Sequence, residues 1–234
     1  MDVKNTSILI TGGSLGIGKE TAKRLVSKGA NVVITGRNKE RLELAANETG
    51  AIPLVFDISD LETIPEKAAE CLNLLGGKID VLINNAGIGT FAVLGELTAD
   101  QFETVFRTNV FGVALLTQEL IKPMKEKQAG TIINIGSTAS LKGFARGSVY
   151  ASSKFALRAM SQCWQAELRK DSIRVCHVNP SEVTTAFGDS NREERKPIDN
   201  ILDSGTIAHS IVSIIEMEDK GFIPEVTIWA TNPF

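Results

Sequence analysis

The alternation of short apolar runs with longer helical patterns constrains the fold of this 234-residue chain more than any other feature. Such alternation predicts strands joined by helical crossovers, and runs that are apolar almost throughout predict strands buried on both faces. The sequence therefore predicts one α/β domain over residues 1–234, a doubly wound parallel sheet of about seven strands with helices on both faces. The predicted strands are Ser7–Thr11, Asn31–Thr35, Ile52–Phe56, Val81–Asn84, Thr131–Ile135, Arg174–Val178 and Val226–Trp229.

Composition narrows the possible functions. With 25 basic and 28 acidic side chains the formal charge is −3, which gives no basis for binding nucleic acid or an anionic membrane. No apolar run approaches the roughly 20 residues of a membrane span, and no secretory pattern opens the sequence. The two histidines, His177 and His209, exclude a histidine-rich metal site, and no metal is expected. Because Cys71, Cys163 and Cys176 lack paired spacing, we expect reduced thiols in a cytoplasmic protein.

A glycine-rich turn follows the first predicted strand. Thr11–Gly18 reads TGGSLGIG, and Gly16–Ser27 has a helical pattern. Glycines let the backbone approach a phosphate, and a helix N-terminus offers that phosphate free N–H groups. The spacing differs from the common GxGxxG fingerprint, so a turn that merely needs glycine stays open. A dinucleotide site is the favoured interpretation.

The residue after the second strand bears on which dinucleotide binds. An acidic residue there binds the 2′-hydroxyl of the adenosine ribose, whereas an arginine accommodates a 2′-phosphate. This chain has Gly36 and Arg37 at that place, and no acid. Because a guanidinium is a permanently charged fork suited to phosphate, the sequence predicts NADP (NADPH). The alternative is a solvated arginine at the start of the predicted helix Lys39–Glu48.

Tyr150 and Lys154 are four residues apart in a helical pattern, so they share one helix face. An ammonium group favours a phenolate, so we expect Lys154, together with a bound cationic nicotinamide, to lower the pKa of Tyr150. The pair alone also fits an ordinary amphipathic helix. Its context favours catalysis, because Ser137, Asn84–Gly87 and Pro180 each follow a predicted strand, at the sheet edge where ligands bind.

With these motifs in this order, the chain resembles the short-chain dehydrogenase/reductase family, of Rossmann type, over essentially its whole length. Members labelled 3-oxoacyl-(acyl carrier protein) reductases are among those it resembles. The resemblance implies a catalytic tetrad of Asn109, Ser137, Tyr150 and Lys154. The implied cofactor-binding residues are Gly12, Ser14, Leu15, Gly16, Ile17, Arg37, Asp57, Ile58, Asn85, Ala86, Gly87, Tyr150, Lys154, Pro180, Val183 and Thr185.

The resemblance also implies a role for each tetrad residue. Tyr150 is expected to protonate the carbonyl oxygen as general acid, and Ser137 to donate a hydrogen bond to that oxygen. Lys154 is expected to tune Tyr150 and bind the nicotinamide ribose, while Asn109 holds a water that relays protons.

Two departures from the family pattern affect the expected cofactor site. Ser181 replaces the usual glycine after Pro180, so the pocket is expected to differ there. Ser14 and Leu15 stand where many NADP-preferring members carry a basic residue, so Arg37 is expected to bind the 2′-phosphate largely alone.

The implied activity is the reduction of a small-molecule carbonyl, either a ketone or a 3-oxoacyl thioester, by NADPH. Two alternatives stay open: an NAD-dependent alcohol dehydrogenase working in the oxidative direction, and a non-catalytic dinucleotide sensor, which the intact tetrad disfavours. Arg169 and Lys170 are possible contacts for an acidic carrier protein, although a solvated helix end also explains them. The nameable pocket walls are apolar: Ile88, Phe91, Leu141, Phe144 and Phe187.

Two further expectations concern a mobile segment and the assembly. Ser181–Ser204 is too polar at its centre to bury, so we expect a substrate lid there. The predicted helices Gln101–Lys127 and Tyr150–Lys170 carry more apolar residues than one sheet contact requires, and in the family such helices pair across a two-fold axis. We therefore expect a homo-oligomer, either a dimer or a tetramer.

Overall fold

The computed structural model of the protein describes residues 2–187, 193–196 and 198–232. The strands in these residues are β1 (Ser7–Ile10), β2 (Asn31–Gly36), β3 (Ile52–Val55), β4 (Val81–Asn84), β5 (Gly130–Ile135), β6 (Ile173–Pro180) and β7 (Glu225–Ile228). They form one sheet in the order β3-β2-β1-β4-β5-β6-β7, and every pairing is parallel. The predicted doubly wound parallel sheet is confirmed. Its strand order reverses between β1 and β4, which is where such sheets bind ligands.

Helices cover both faces of this sheet. They are α1 (Gly16–Ser27), α2 (Lys39–Thr49), α3 (Ile64–Leu74), α4 (Ala99–Phe106), α5 (Val113–Glu126), α6 (Ser148–Leu168) and α7 (Ser204–Glu216). Leu25 of α1 and Ile211 of α7 pack on one face with Leu42 of α2. Leu116 of α5 and Leu157 of α6 pack on the other face, together with α3. Burial on both faces explains why the strands are apolar almost throughout.

The predicted long helix over Gln101–Lys127 is interrupted. The first part, α4, begins at Ala99, where Thr98 and Gln101 form a reciprocal capping box. The segment Arg107–Gly112 is π-helical and separates α4 from α5. A Cβ atom on Gly112 would lie 2.1 Å from the carbonyl oxygen of Ile58, so the helix passes against the backbone that follows β3. The wide turn positions Asn109, which the next subsection describes.

The segment between β6 and α7 is only partly described. Val183 pairs with Leu202, and the Thr184 N–H donates to the Leu202 carbonyl oxygen over 2.8 Å. Residues 188–192 and 197, which include the polar centre of the predicted lid, lie outside the described residues. The lid therefore stays a prediction. None of the described helices is both long enough and apolar enough to span a bilayer.

Candidate active site

The carboxyl ends of the strands open into one cavity of about 1050 Å³. It is lined by every residue that the sequence predicted to bind the cofactor, and by Ser137. Asn109 does not line it. We call one part of this cavity the cofactor half: Gly12, Ser14, Leu15, Gly16, Ile17, Gly36, Arg37, Arg41, Asp57, Ile58, Asn85, Ala86 and Gly87. We call the part lined by the predicted apolar walls the substrate half: Ile88, Phe91, Leu141, Phe144 and Phe187.

The glycine-rich turn is locked to the loop after β4. Gly12 has φ +66°, and a Cβ atom there would lie 2.9 Å from the Cα of Ala86. The Thr11 hydroxyl oxygen accepts hydrogen bonds from the N–H groups of Asn85 and Ala86, each over 3.0 Å. The Asn85 side-chain amide donates in return to the carbonyl oxygens of Thr11 and Gly12, each over 2.9 Å. Only glycine fits this turn, because its backbone is both left-handed and tightly approached.

The N-terminus of α1 already binds an anion. The Gly16 N–H donates to a carboxylate oxygen of Glu194 over 2.9 Å. A helix N-terminus favours an anion through its free N–H groups and its dipole. A phosphate group bound at this helix N-terminus would compete with Glu194 for the Gly16 N–H.

Two arginines line the cavity beyond the end of β2. Arg37 was predicted, but Arg41 was not. The Asn38 side chain accepts a hydrogen bond from the Arg41 N–H over 2.8 Å and so caps α2, which leaves Arg37 before the helix and places Arg41 in its first turn. No pattern along the chain indicated Arg41, because helical spacing does not relate it to Arg37. Gly36 lies between them and the turn, since its Cβ would be 3.4 Å from the Ser14 hydroxyl oxygen.

Tyr150 is buried at the other end of the cavity, and burial sets the direction of its pKa shift in the protein alone. Burial raises the pKa of Tyr150 to about 12, and a hydrogen bond with Ser137 offsets part of that rise. The Lys154 ammonium lies 5.8 Å from the centre of the Tyr150 ring and donates to the Ile135 carbonyl oxygen over 2.8 Å. Burial also lowers the pKa of Lys154 to about 8. Desolvation of the phenol outweighs its neighbours in the protein alone, and the lowering expected with a bound cationic nicotinamide stays a prediction.

Ser137 begins the one-turn helix Thr138–Ser140 after β5. Its hydroxyl oxygen accepts a hydrogen bond from the Ala139 N–H over 3.1 Å. The Ser137 N–H donates to the Ser140 hydroxyl oxygen over 3.1 Å. Because the backbone satisfies an acceptor site on Ser137, its hydroxyl hydrogen is directed into the cavity, where Ser137 forms its hydrogen bond with Tyr150.

Ser140 belongs to a buried hydrogen-bond network with His177 and Ser161. The His177 Nε2 lies 3.4 Å from the Ser140 hydroxyl oxygen, and its Nδ1 lies 3.0 Å from the Ser161 hydroxyl oxygen. Ser161 donates to the Leu157 carbonyl oxygen over 2.8 Å, so it accepts from Nδ1–H, and Nε2 accepts from Ser140. Burial lowers the pKa of His177 to about 4, which keeps the ring neutral. Sequence reasoning missed this network, because His177 only interrupts an apolar strand.

Asn109 is the one tetrad residue that does not line the cavity. Its side-chain oxygen accepts from the Ile88 N–H, and its amide donates to the Ile88 carbonyl oxygen, each over 2.9 Å. The same amide also donates to the Ser153 hydroxyl over 3.0 Å. Asn109 thereby ties the π-helical turn to the first residue of the substrate half. Its predicted role in holding a water stays a prediction.

Comparison with known proteins gives the following matches. A family model described as short chain dehydrogenase matches residues 6–196, which include every predicted site residue. The chain is 35% identical over 208 residues to L-xylulose reductase of Caenorhabditis elegans, covering 86% of this chain and 81% of the relative. It is 37% identical over 185 residues to serine 3-dehydrogenase of Agrobacterium fabrum, covering 77% of this chain and 73% of the relative. A solved alcohol dehydrogenase from the archaeon Thermococcus sibiricus, complexed with 5-hydroxy-NADP, has a TM-score of 0.89 and 27% identity over 97% of both chains.

Proposed function

The chain belongs to the short-chain dehydrogenase family and is an oxidoreductase, and on that premise we propose that it reduces a small-molecule ketone or aldehyde with NADPH. One observation carries the proposal: a single cavity has two arginines at one end and Ser137, Tyr150 and Lys154 at the other. The reductase relative and the neighbour that holds an NADP derivative agree with it.

The chemistry of the chain's own residues follows from this geometry. A nicotinamide dinucleotide, when bound, supplies the hydride that reduces the carbonyl carbon. Tyr150 keeps its proton at neutral pH, because burial raises its pKa, and it gives that proton to the carbonyl oxygen. When a carbonyl is bound, Ser137 donates its hydroxyl hydrogen to the same oxygen as negative charge develops there. The Lys154 ammonium then stabilises the phenolate that remains on Tyr150.

The preference for NADPH rests on Arg37 and Arg41. Each guanidinium can form a charge-assisted hydrogen bond to a 2′-phosphate, worth roughly 1.5–3 kcal/mol. Gly36 leaves the ribose edge without the acid that would repel this phosphate. NADH lacks the phosphate and gains nothing from either arginine.

The test is the ratio of kcat/KM for NADPH to that for NADH. We expect the wild type to prefer NADPH, and Arg37→Ala or Arg41→Ala to lower the ratio by about one to two decades. Gly36→Asp should lower it further, since an acid repels one cofactor and hydrogen-bonds the ribose of the other. Lys39→Ala removes an exposed cation of α2 outside the cavity and is the matched control. A wild type that prefers NADH, or a ratio unmoved by both arginine variants, contradicts the preference.

The same assays separate the alternative functions. Oxidation of secondary alcohols with NAD⁺, without reduction of ketones by NADPH, would support the oxidative dehydrogenase. One relative, serine 3-dehydrogenase, is named for that direction. Cofactor binding without turnover of any carbonyl or alcohol would support the dinucleotide sensor. A carrier-protein substrate has no support at Arg169 and Lys170, because neither residue lines the cavity.

We propose that the segment over residues 181–204 acts as a lid, because Glu194 of this segment contacts Gly16 of the glycine-rich turn. A phosphate group of a bound dinucleotide would compete with the Glu194 carboxylate for the Gly16 N–H. The neighbouring Arg195 guanidinium donates to the Thr185 carbonyl oxygen over 3.0 Å and holds the segment nearby. We expect NADPH to change hydrogen exchange across residues 181–204, and equal exchange in both states would contradict the lid.

The assembly is proposed on exposed apolar side chains of the long helices. Phe111, Leu115 and Phe155 are all exposed, at 47%, 37% and 42%. We propose that these residues are covered in a homodimer or homotetramer. Light scattering at micromolar concentration tests this, and a monomeric mass would contradict it.

The free state of the three cysteines agrees with the proposed cytoplasmic location.

A further inference from the structure

Aromatic side chains surround the catalytic phenol on the substrate half. The rings of Phe91 and Phe187 lie 5.5 and 5.4 Å from the ring of Tyr150, centre to centre, in tilted geometry. Phe144 extends the group, with its ring 6.1 Å from that of Phe91. Tilted aromatic pairs at such separations attract each other through the edge and face of their rings. A substituent on a carbonyl held at Tyr150 therefore meets aromatic rings.

Phe91 and Phe187 are brought together by the absence of a side chain at Gly89. A Cβ atom on Gly89 would lie 3.0 Å from the Cζ of Phe91 and 3.1 Å from the Cζ of Phe187. Both ring tips therefore contact the same stretch of backbone, although the two residues come from loops far apart in the sequence. The tips of the two rings are therefore close together, and both rings pack beside the phenol.

Phe144 is held in a similar way. A Cβ atom on Gly147 would lie 2.7 Å from the Cζ of Phe144, so the ring packs directly on the backbone that precedes α6. The Ala92 N–H donates to the Arg146 carbonyl oxygen over 3.0 Å, which joins the loops that carry Phe91 and Phe144. The aromatic walls are therefore positioned before a substrate arrives, which reduces the entropy lost on binding.

These walls leave apolar surface open to solvent. Phe91 is 39% exposed and Phe144 is 50% exposed, although both line a concave site. Apolar surface in a concave site gains most from a ligand that removes it from water. A flat apolar substituent can bury this surface by packing against the exposed parts of the rings.

Hydrogen-bonding groups are few on this side. The hydroxyls of Ser137 and Tyr150 both serve the carbonyl oxygen in the proposed mechanism. The rings of Phe91, Phe144 and Phe187 offer no hydrogen-bonding group, and the other hydroxyls of the lining include those of Thr108, Thr138, Ser181 and Thr185. Hydroxyl groups buried against the phenyl walls would lose their hydrogen bonds to water without replacement.

The charged side chains in this part of the lining are exposed to solvent, so they do not indicate a charged substrate. Glu182 and Arg195 line the cavity as an exposed pair, 3.8 Å apart. Lys142 also lines it and is solvent-exposed. Exposed charges of this kind are solvated and contribute little to binding.

We infer that the physiological substrate is a ketone or aldehyde with a flat apolar or aryl substituent that packs against Phe91 and Phe187. This inference rests on the proposed carbonyl reduction and specifies its substrate class. It excludes polyhydroxy ketones as preferred substrates.

The first experiment compares kcat/KM with NADPH for acetophenone, cyclohexyl methyl ketone, 2-butanone and a ketopentose. We expect kcat/KM for acetophenone to exceed that for 2-butanone and that for the ketopentose by about tenfold or more, because a phenyl group packs against the aromatic rings. Cyclohexyl methyl ketone, which is as large but not flat, should rank below acetophenone. Equal or better turnover of 2-butanone or the ketopentose would overturn the inference.

The second experiment uses variants of the walls. Phe91→Ala and Phe187→Ala should each lower kcat/KM for acetophenone by about tenfold and change it little for 2-butanone. Leu44→Ala removes an exposed apolar side chain of α2 outside the cavity and should change neither value. Equal losses on both ketones would mean a general defect and would overturn the proposed contact.

Calorimetric binding of acetophenone to the complex with NADP⁺ tests the aromatic site separately from the carbonyl reduction. Binding without any turnover would contradict the proposed reduction and leave the aromatic site supported. Absence of binding by the folded protein would overturn the aromatic site, whatever carbonyl the enzyme reduces.

Discussion

The two halves of the cavity are built in different ways. The cofactor half is formed mostly by backbone at the ends of strands, as at Gly12, where the turn and the loop after β4 share hydrogen bonds. The substrate half is formed by side chains such as Phe91 and Phe187, which only the complete fold brings together. The comparison shows that a shared cofactor can be bound by short local motifs, whereas substrate choice depends on loops that differ freely. Each of the following changes should affect one half more than the other.

Tyr150→Phe should have the largest effect. The change removes the proton donor at the junction of the halves and should lower kcat for reduction by about 10²–10⁴-fold. NADPH binding should stay nearly intact, since the ring and its packing remain. Steady-state kinetics and a fluorescence titration of NADPH provide the two measurements. Near-wild-type turnover in this variant would refute the mechanism.

Acid should destabilise the protein through the network beneath the substrate half. Burial lowers the pKa of His177 to about 4, whereas an unfolded chain binds the proton near pH 6.5. Between these values the unfolded state binds more protons, so the free energy of unfolding falls as pH falls from 6.5 to 4, by up to about 3 kcal/mol. Urea unfolding across this range measures the slope.

Two variants assign that slope to one histidine. His177→Gln should flatten the pH dependence in this window, while His209→Gln, on the exposed side of α7, is the matched control. An unchanged slope in His177→Gln would show that other groups cause the acid sensitivity.

Paired glycine substitutions compare the halves directly. Gly12→Ala places a Cβ atom 2.9 Å from the Cα of Ala86 at a left-handed φ, so NADPH should bind about ten- to a hundredfold more weakly. Gly143→Ala, in the same cavity, meets no atom within 4 Å and should bind NADPH as the wild type does. Equal affinities for the two variants, measured by fluorescence titration, would show that the turn is not held as rigidly as its contacts indicate.

Ser140→Ala should have a smaller effect, confined to catalysis. It leaves the Ser137 N–H and the His177 ring without their shared partner, and kcat should fall by about tenfold with little change in KM. Ser152→Ala removes a hydroxyl that bonds only within α6 and should keep the wild-type kcat. A rise in KM with constant kcat would mean that the network positions the substrate and not Ser137.

The sequence predicts the cofactor half almost completely and the substrate half only in outline. The turn at Gly12 and the strand ends are local features, so periodicity and spacing reveal them. Arg41 was missed because a helical arginine carries no sign that it faces a ligand. The raised pKa of Tyr150 in the protein alone was not foreseen, because spacing shows a nearby lysine but does not show burial. The His177 network depends on tertiary contacts that no pattern along the chain records.

Hydride transfer within this cavity is the central step of the proposed reaction, and isotope labelling follows the hydride itself. Separate reactions with NADPH carrying deuterium at either C4 position should reduce acetophenone, and one of the two labels should appear at the carbinol carbon of the product. The same reactions with Tyr150→Phe should give little or no labelled alcohol. Alcohol that carries deuterium from neither form of NADPH, or no alcohol from any carbonyl tested, would contradict the proposed function.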